Sequence, residues 1–173
     1  RLNDPKFAEE SFREAISLKP RDASVYHNYA WFLCQQGRYG EAKAQFDVVM
    51  SNPLYPERSK TLLTQGICEA REGKMAEAEQ SLLRSYELDA GNPVTGYNLA
   101  LLLYRRGEYV KAQFYIRRIN NSEFGNAETF WLGVKVERRL NNDEAMQQLV
   151  TQLKRRFPNS REVIAYDRGA FDE

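Results

Sequence analysis

The chain has 173 residues, of which 42% are hydrophobic, so it is long enough and apolar enough to fold around a buried core. Its 25 basic and 24 acidic residues leave a formal net charge of +1. Because no strong field of one sign attracts a phosphate backbone or an anionic bilayer, we expect protein partners and no nucleic acid. The apolar runs, such as residues 99–104, are far shorter than the roughly 20 residues that a membrane-spanning helix needs.

A turn motif recurs along the chain with a period near 34 residues. Residues 36–42, 72–78 and 106–112 each place an alanine five residues after a glycine. A weaker copy at residues 140–145 has Asn141 in the place of the glycine, because asparagine tolerates the left-handed conformation of such turns. A period of this length predicts stacked helical hairpins.

In chain order, the predicted elements fit the tetratricopeptide pattern of paired helices. Residues 4–20 match only the second helix of a repeat, and complete repeats are predicted to begin near residues 23, 59, 93 and 126. A helix at about residues 160–168 is predicted to cap the last repeat, because each repeat buries its apolar face only against a neighbour. Small residues recur where paired helices must approach closely, at Ala30, Gly66, Ala100 and Gly133 and at Ala42, Ala78, Ala112 and Ala145. We therefore predict an all-α tetratricopeptide-repeat superhelical solenoid of antiparallel helix pairs, forming a single domain over residues 1–173.

The first helix of each repeat is expected to line a concave groove that binds another polypeptide. The inward positions carry aromatic, aliphatic and basic side chains: His27, Trp31, Ile67, Arg71, Tyr97, Leu101, Tyr104, Arg105, Phe130 and Arg138. A bound peptide or helix would explain why a groove wall carries so many apolar side chains. Aromatic and arginine side chains also dominate the binding energy of such interfaces. The alternative is that some of them, Trp31 and Leu101 in particular, belong to the core, where apolar residues at helical spacing usually lie.

The inventory of reactive side chains argues against an enzyme. His27 is the only histidine, and no zinc-ligand spacing, phosphate-binding glycine loop or nucleophile motif is present. We therefore expect no catalytic residue, no metal site and no cofactor.

Cys34 and Cys68 fall on the first helices of neighbouring repeats, at similar heights. A disulfide between them would close a loop of about 34 residues and stabilise the fold by roughly 3 to 4 kcal/mol. The alternative is a pair of buried free thiols, as is usual in cytosolic proteins. Spacing alone leaves both possibilities open.

Three segments resemble a particular family of repeat proteins. Residues 12–20, residues 28–34 and the proline-containing connection 54–59 followed by residues 66–68 are similar to the type IV pilus biogenesis and stability lipoproteins of the PilW/PilF kind. The connection and the paired cysteines are the more specific part of this likeness, which extends over nearly the whole chain.

The resemblance implies a non-enzymatic pilotin at the periplasmic face of the outer membrane. Such a protein assists secretin subunits of the type IV pilus machinery, or another pilus-assembly protein, and it touches the membrane only through an N-terminal lipid anchor that is absent from this chain. An oxidising periplasm favours the bridge between Cys34 and Cys68. The alternative function is a cytosolic tetratricopeptide adaptor or co-chaperone that binds a peptide in its concave groove.

Overall fold

The computed structural model describes residues 3–172 and shows an all-helical protein, with ten α-helices and no strand among those residues. The first five helices are α1 (Pro5–Leu18), α2 (Ala23–Gln35), α3 (Tyr39–Met50), α4 (Arg58–Glu72) and α5 (Met75–Leu88). The second five are α6 (Pro93–Arg105), α7 (Tyr109–Asn120), α8 (Ala127–Arg139), α9 (Asp143–Arg156) and α10 (Arg161–Asp167). The prediction of an all-α tetratricopeptide fold is confirmed. None of the helices in this part of the chain is long and apolar enough to span a bilayer.

Local sequence signals set where the helices begin and end. Asp22, Asn92 and Ser160 each accept a backbone hydrogen bond in the first turn of the helix that follows, which satisfies a donor without an intrahelical partner. The turns within the helical hairpins contain residues with positive φ: Gly37, Gly73, Gly107 and Asn141. Such residues end a helix because its last carbonyls are then bonded by the turn.

The chain divides into two compact units, one ending at Asp89 and one beginning at Ala90. In the first unit, α2 packs against α3, α4 packs against α5, and both α2 and α3 contact α4. The helix α1 packs on α2, where the rings of Phe12 and Tyr29 stack with centroids 5.3 Å apart. Leu33 and Phe46 are fully buried in the core of this unit. The organisation of the whole chain as one domain stays a prediction.

In the second unit, α7 packs against both α6 and α8, and α8 pairs with α9. The short helix α10 packs against both α8 and α9. Its Val163 joins a buried cluster with Phe130 and Leu153, so α10 covers the apolar end of this unit.

Two glycines lie where a side chain of a neighbouring helix approaches closely. A Cβ atom on Gly66 would lie 2.7 Å from Cγ of Leu82 on α5. A Cβ atom on Gly133 would lie 2.7 Å from Nδ2 of Asn120 on α7. A larger residue at either position would therefore require these neighbouring side chains to shift.

The proline-containing connection between α3 and α4 is held at its base and exposed at its tip. The Nη1 atom of Arg58 donates to the carbonyl oxygens of Met50 at 3.0 Å and Asn52 at 2.9 Å. Leu54 at the tip keeps 87% of its surface exposed.

Candidate protein-binding site

A cleft of about 720 Å³ opens in the second unit. One wall is α6, which contributes Tyr97, Leu101, Tyr104 and Arg105, all four of which were predicted to line a groove. Their common face follows from helical geometry, because residues three or four apart lie above one another. Tyr97, Leu101 and Tyr104 are half-buried, while Arg105 is exposed.

The opposite wall is α8, and here the predicted residues are not the ones that line the cleft. Glu128, Trp131, Lys135 and Arg139 line it instead. Phe130 was predicted to face the groove, which is wrong: its side chain is fully buried, with its ring 6.3 Å from that of Phe157. Arg138 is exposed and does not line the cleft; its guanidinium lies 4.2 Å from the centre of the Phe171 ring.

The residues predicted to face the groove from α8 are each one position too early in the sequence, and the turn after α8 explains why. Asn141 has φ of 55° and occupies the place of the turn glycines. Counted from that residue, Trp131 is the equivalent of Tyr97, since each lies ten residues before its turn. The prediction had aligned the fourth repeat on Ala145, but the residue five positions after Asn141 is Met146. Because one residue turns an α-helix by about 100°, this shift exchanged a core face for a cleft face.

A buried carboxylate fixes α8 against α7. Glu137 is 1% exposed and accepts hydrogen bonds from Nε of Arg117 at 2.7 Å and from Nε2 of Gln113 at 3.0 Å. These charge-assisted bonds hold the wall that carries Trp131 and Lys135 in one orientation.

The charges in the cleft are arranged unevenly along its length. Towards the first turns of α6 and α8, burial and then a hydrogen bond with Glu128 raise the pKa of Tyr97. Towards their last turns, Arg105, Lys135 and Arg139 bring three cations together. Burial and then the positive charge of Arg105 lower the pKa of Lys135, whose Nζ lies 5.6 Å from the ring centre of Tyr104 and 5.7 Å from that of Trp131. This end of the cleft is suited to an anionic group.

Four further predicted residues lie in the first unit, on α2 and α4. Nδ1 of His27 is 2.8 Å from Oγ1 of Thr61, and burial lowers the pKa of the imidazole. The guanidinium of Arg71 lies 5.6 Å from the ring centre of Trp31. Trp31 and Ile67 are half-buried. The structure thus pairs His27 with α4 and Trp31 with Arg71, and both of these contacts join the two helices.

Cys34 and Cys68 are joined by a disulfide that links α2 to α4, with Cα atoms 5.9 Å apart. Both residues are buried, and Cys34 belongs to the core cluster around Leu33. Across residues 3–172, no group of three or more histidine, cysteine or acidic side chains is arranged to hold a metal ion.

Sequence reasoning missed the residues on two sides of the cleft. Arg161, Glu162 and Ala165 of α10 line it, together with Phe171 and Asp172 of the segment that follows. No repeat pattern points to these residues, because α10 and the segment after it lie outside the periodic hairpins.

The comparisons with known proteins agree with this architecture. Residues 11–44 and residues 35–93 each match the tetratricopeptide repeat family. The type IV pilus assembly protein PilF of Pseudomonas aeruginosa is 32% identical over 159 residues. That match covers 92% of this chain but 63% of the curated relative, so the chain spans less than two thirds of its length.

Two solved structures are similar in both sequence and fold. The crystal structure of PilW, described as a widely conserved type IV pilus biogenesis factor, is 34% identical and superposes with a TM-score of 0.85. The match covers 95% of this chain and 76% of that one. The structure of Pseudomonas aeruginosa PilF is 31% identical, with a TM-score of 0.79 over 95% of this chain and 74% of the other.

Proposed function

Because the chain belongs to the tetratricopeptide-repeat proteins and is related to the type IV pilus biogenesis factors PilW and PilF, we propose that it is a non-enzymatic scaffold of pilus biogenesis. In this proposal the cleft of the second unit binds a polypeptide segment of an envelope protein. The observation that carries it is the lining of that cleft, where Tyr97, Tyr104 and Trp131 stand beside Arg105 and Arg139.

The lining supports protein binding for an energetic reason. Aromatic and arginine side chains supply large contact areas and directional hydrogen bonds, and they carry most of the binding energy in protein interfaces. Tyr97 and Tyr104 are half-buried and Trp131 is 7% exposed, so all three rings are preorganised and less entropy is lost on binding.

The partner that we propose is the secretin subunit of the type IV pilus machinery. The protein acts as a pilotin, assisting secretin assembly at the periplasmic face of the outer membrane, with a lipid anchor upstream of this chain as its membrane contact. The relationship to the pilus factors and the disulfide between Cys34 and Cys68 support this location, because disulfides persist in oxidising compartments.

The test is capture of the secretin from an envelope extract of the producing cells by the immobilised chain. The double substitution Tyr97→Ala and Tyr104→Ala removes two aromatic rings from one wall, and we expect it to weaken capture by about tenfold, as for two residues at the centre of an interface. The readout is the secretin band retained as a function of chain concentration.

A matched control is the double substitution Val110→Ala and Phe114→Ala. Both side chains are exposed on α7 and neither lines the cleft, so secretin capture should stay unchanged. Equal capture by the Tyr97/Tyr104 variant would place the binding site elsewhere, and absence of the secretin from every eluate would refute the pilotin role.

The second candidate function, a cytosolic adaptor or co-chaperone, shares the peptide-binding cleft but differs in its redox state. A reducing compartment would keep Cys34 and Cys68 as thiols. The disulfide is therefore the feature that favours the envelope over the cytosol.

A further inference from the structure

The segment that follows α10 folds back over the cleft. Gly169 has φ of 67°, and the amide of Ala170 donates to the carbonyl oxygen of Ala165 at 2.8 Å. This left-handed turn closes the helix and redirects the chain. As a result Phe171 and Asp172 lie in the lining of the cleft. We call residues 169–172 the strap.

Phe171 fills the aromatic part of the cleft. Its ring stacks on that of Trp131, with centroids 5.6 Å apart and planes inclined by 20°. The ring of Tyr166 meets it edge-on at 6.0 Å. With the guanidinium of Arg138 at 4.2 Å, the Phe171 side chain touches two aromatic rings and a cation, the environment that an aromatic anchor of a bound peptide would occupy.

Asp172 supplies a carboxylate at the basic end of the cleft. Its Oδ1 is 3.5 Å from Nη2 of Arg139, and its negative charge also acts on Lys135. The Asp172 side chain nevertheless stays 89% exposed. The Asp172 carboxylate thus pairs with Arg139 and acts on Lys135 while it stays open to solvent, so a partner's carboxylate can replace it.

We propose that the strap is an internal ligand of the cleft and that the partner segment carries an aromatic residue followed by a carboxylate, which displace Phe171 and Asp172. This inference rests on the proposed function of the cleft and specifies the chemistry of its ligand. The partner's ring stacks on Trp131, and its carboxylate pairs with Arg139 beside Arg105 and Lys135.

The strap also regulates affinity in this arrangement. A peptide binds only the fraction of molecules in which the strap is open, so the observed dissociation constant exceeds the intrinsic one by the inverse of that fraction. A segment tethered so close to its site competes at a high effective concentration.

The probe is the fluorescently labelled peptide acetyl-Gly-Ala-Phe-Asp-amide, which has the sequence of the strap, and the readout is fluorescence anisotropy. The variant Phe171→Ala with Asp172→Asn opens the cleft, and we expect it to bind this peptide about tenfold more tightly than the unaltered chain. Adding Arg139→Gln to that variant should weaken binding of the peptide by about threefold, as for the loss of one exposed ion pair. Because the carboxylate pairs with exposed cations, binding should weaken as salt is raised.

Controls separate this effect from a loss of folding. Asp172→Asn alone retains Phe171 and its ring contacts, and we expect a gain of about threefold, as for the loss of one exposed ion pair. Phe114→Ala removes an exposed aromatic ring outside the cleft and should leave peptide binding unchanged.

A peptide with alanine for phenylalanine and asparagine for aspartate should not bind. Equal binding by the open variant and the unaltered chain, or equal binding of both peptides, would overturn the proposal.

Secretin capture distinguishes this inference from the proposed function. If the peptide binds as expected while no secretin is recovered, the cleft chemistry stands and the pilotin role fails. If the secretin is recovered equally by the open variant and the unaltered chain, and the peptide does not bind, the scaffold role stands and the strap proposal fails.

Discussion

One carboxylate connects three helices of the first unit. Arg38, the residue before α3, donates to both oxygens of Glu9 on α1, at 2.7 and 2.9 Å, and the hydroxyl of Tyr29 on α2 donates at 2.9 Å. These hydrogen bonds, that from Arg38 above all, lower the pKa of Glu9 from 4.5 to about 2. The ionised form is therefore the one that holds the three helices together.

This lowered pKa has a consequence for stability at low pH. A carboxyl group whose pKa is lower in the folded than in the unfolded state stabilises the fold fully above pH 4.5, and the contribution is lost as the pH falls towards 2. We expect Glu9→Gln to lower the free energy of unfolding at pH 7 by about 1 kcal/mol. In this variant the free energy of unfolding should also fall less steeply as the pH is lowered from 4.5 towards 2. Urea unfolding across that range measures both effects.

The control is Glu10→Gln, an exposed neighbour on the same helix. It should leave the unfolding free energy at pH 7 within experimental error. A Glu9→Gln variant whose stability falls with acid as steeply as that of the unaltered chain would contradict the role given to Arg38 and Tyr29.

The pair α8 and α9 depends on a turn that has no glycine. Asn141 holds φ of 55°, the region that is costly for residues with a Cβ atom and that asparagine tolerates better than most. Counted from this turn, Phe130 falls in the core, where it is fully buried, and Trp131, which is 7% exposed, lines the cleft. A residue that resists this conformation therefore weakens the second unit.

We expect Asn141→Ala to lower the free energy of unfolding of the second unit by about 1 kcal/mol, whereas Asn141→Gly stays close to neutral. Asn121 offers the matched control: it follows α7, is exposed and has an ordinary φ of −89°, so Asn121→Ala should change little. Urea unfolding followed by far-ultraviolet circular dichroism measures all three variants. Equal stability of the two Asn141 variants would show that the positive φ at this turn does not disfavour alanine.

Across the whole molecule, the covalent constraint is confined to the first unit. The disulfide between Cys34 and Cys68 spans 34 residues and joins α2 to α4, whereas the second unit contains no cysteine. Cross-linking stabilises a fold mainly by restricting its unfolded chain. Only the unit that contains the loop closed by the disulfide is therefore stabilised.

Reduction should therefore lower the stability of the first unit by about 3 to 4 kcal/mol. Hydrogen exchange should become faster at the amides of α2 and α4, with α8 of the second unit as the internal control. Cys34→Ser with Cys68→Ser should reproduce the effect without a reductant. In the unreduced, denatured protein a thiol reagent should label neither cysteine; two reactive thiols would contradict the bridge and favour the cytosolic alternative.

Local patterns determined much of this protein by themselves. The turn glycines predict where helices end, Asp22 and Asn92 precede helices that they cap, and the spacing of Tyr97, Leu101, Tyr104 and Arg105 predicts their common face. These features depend on backbone conformation and helical periodicity, which a few neighbouring residues decide.

Only the tertiary structure decided which side chains meet across helices. Whether Phe130 or Trp131 lines the cleft depends on the exact rotation of α8. The bond between Cys34 and Cys68 and the contact of Phe171 with Trp131 depend on distances between segments that are remote in sequence. A shift of one residue turns a helix by about 100°, which is enough to exchange core for cleft, and the strap belongs to no repeat. The identity of the helices is thus a local property, while the cleft and the position of the strap in its lining arise from packing.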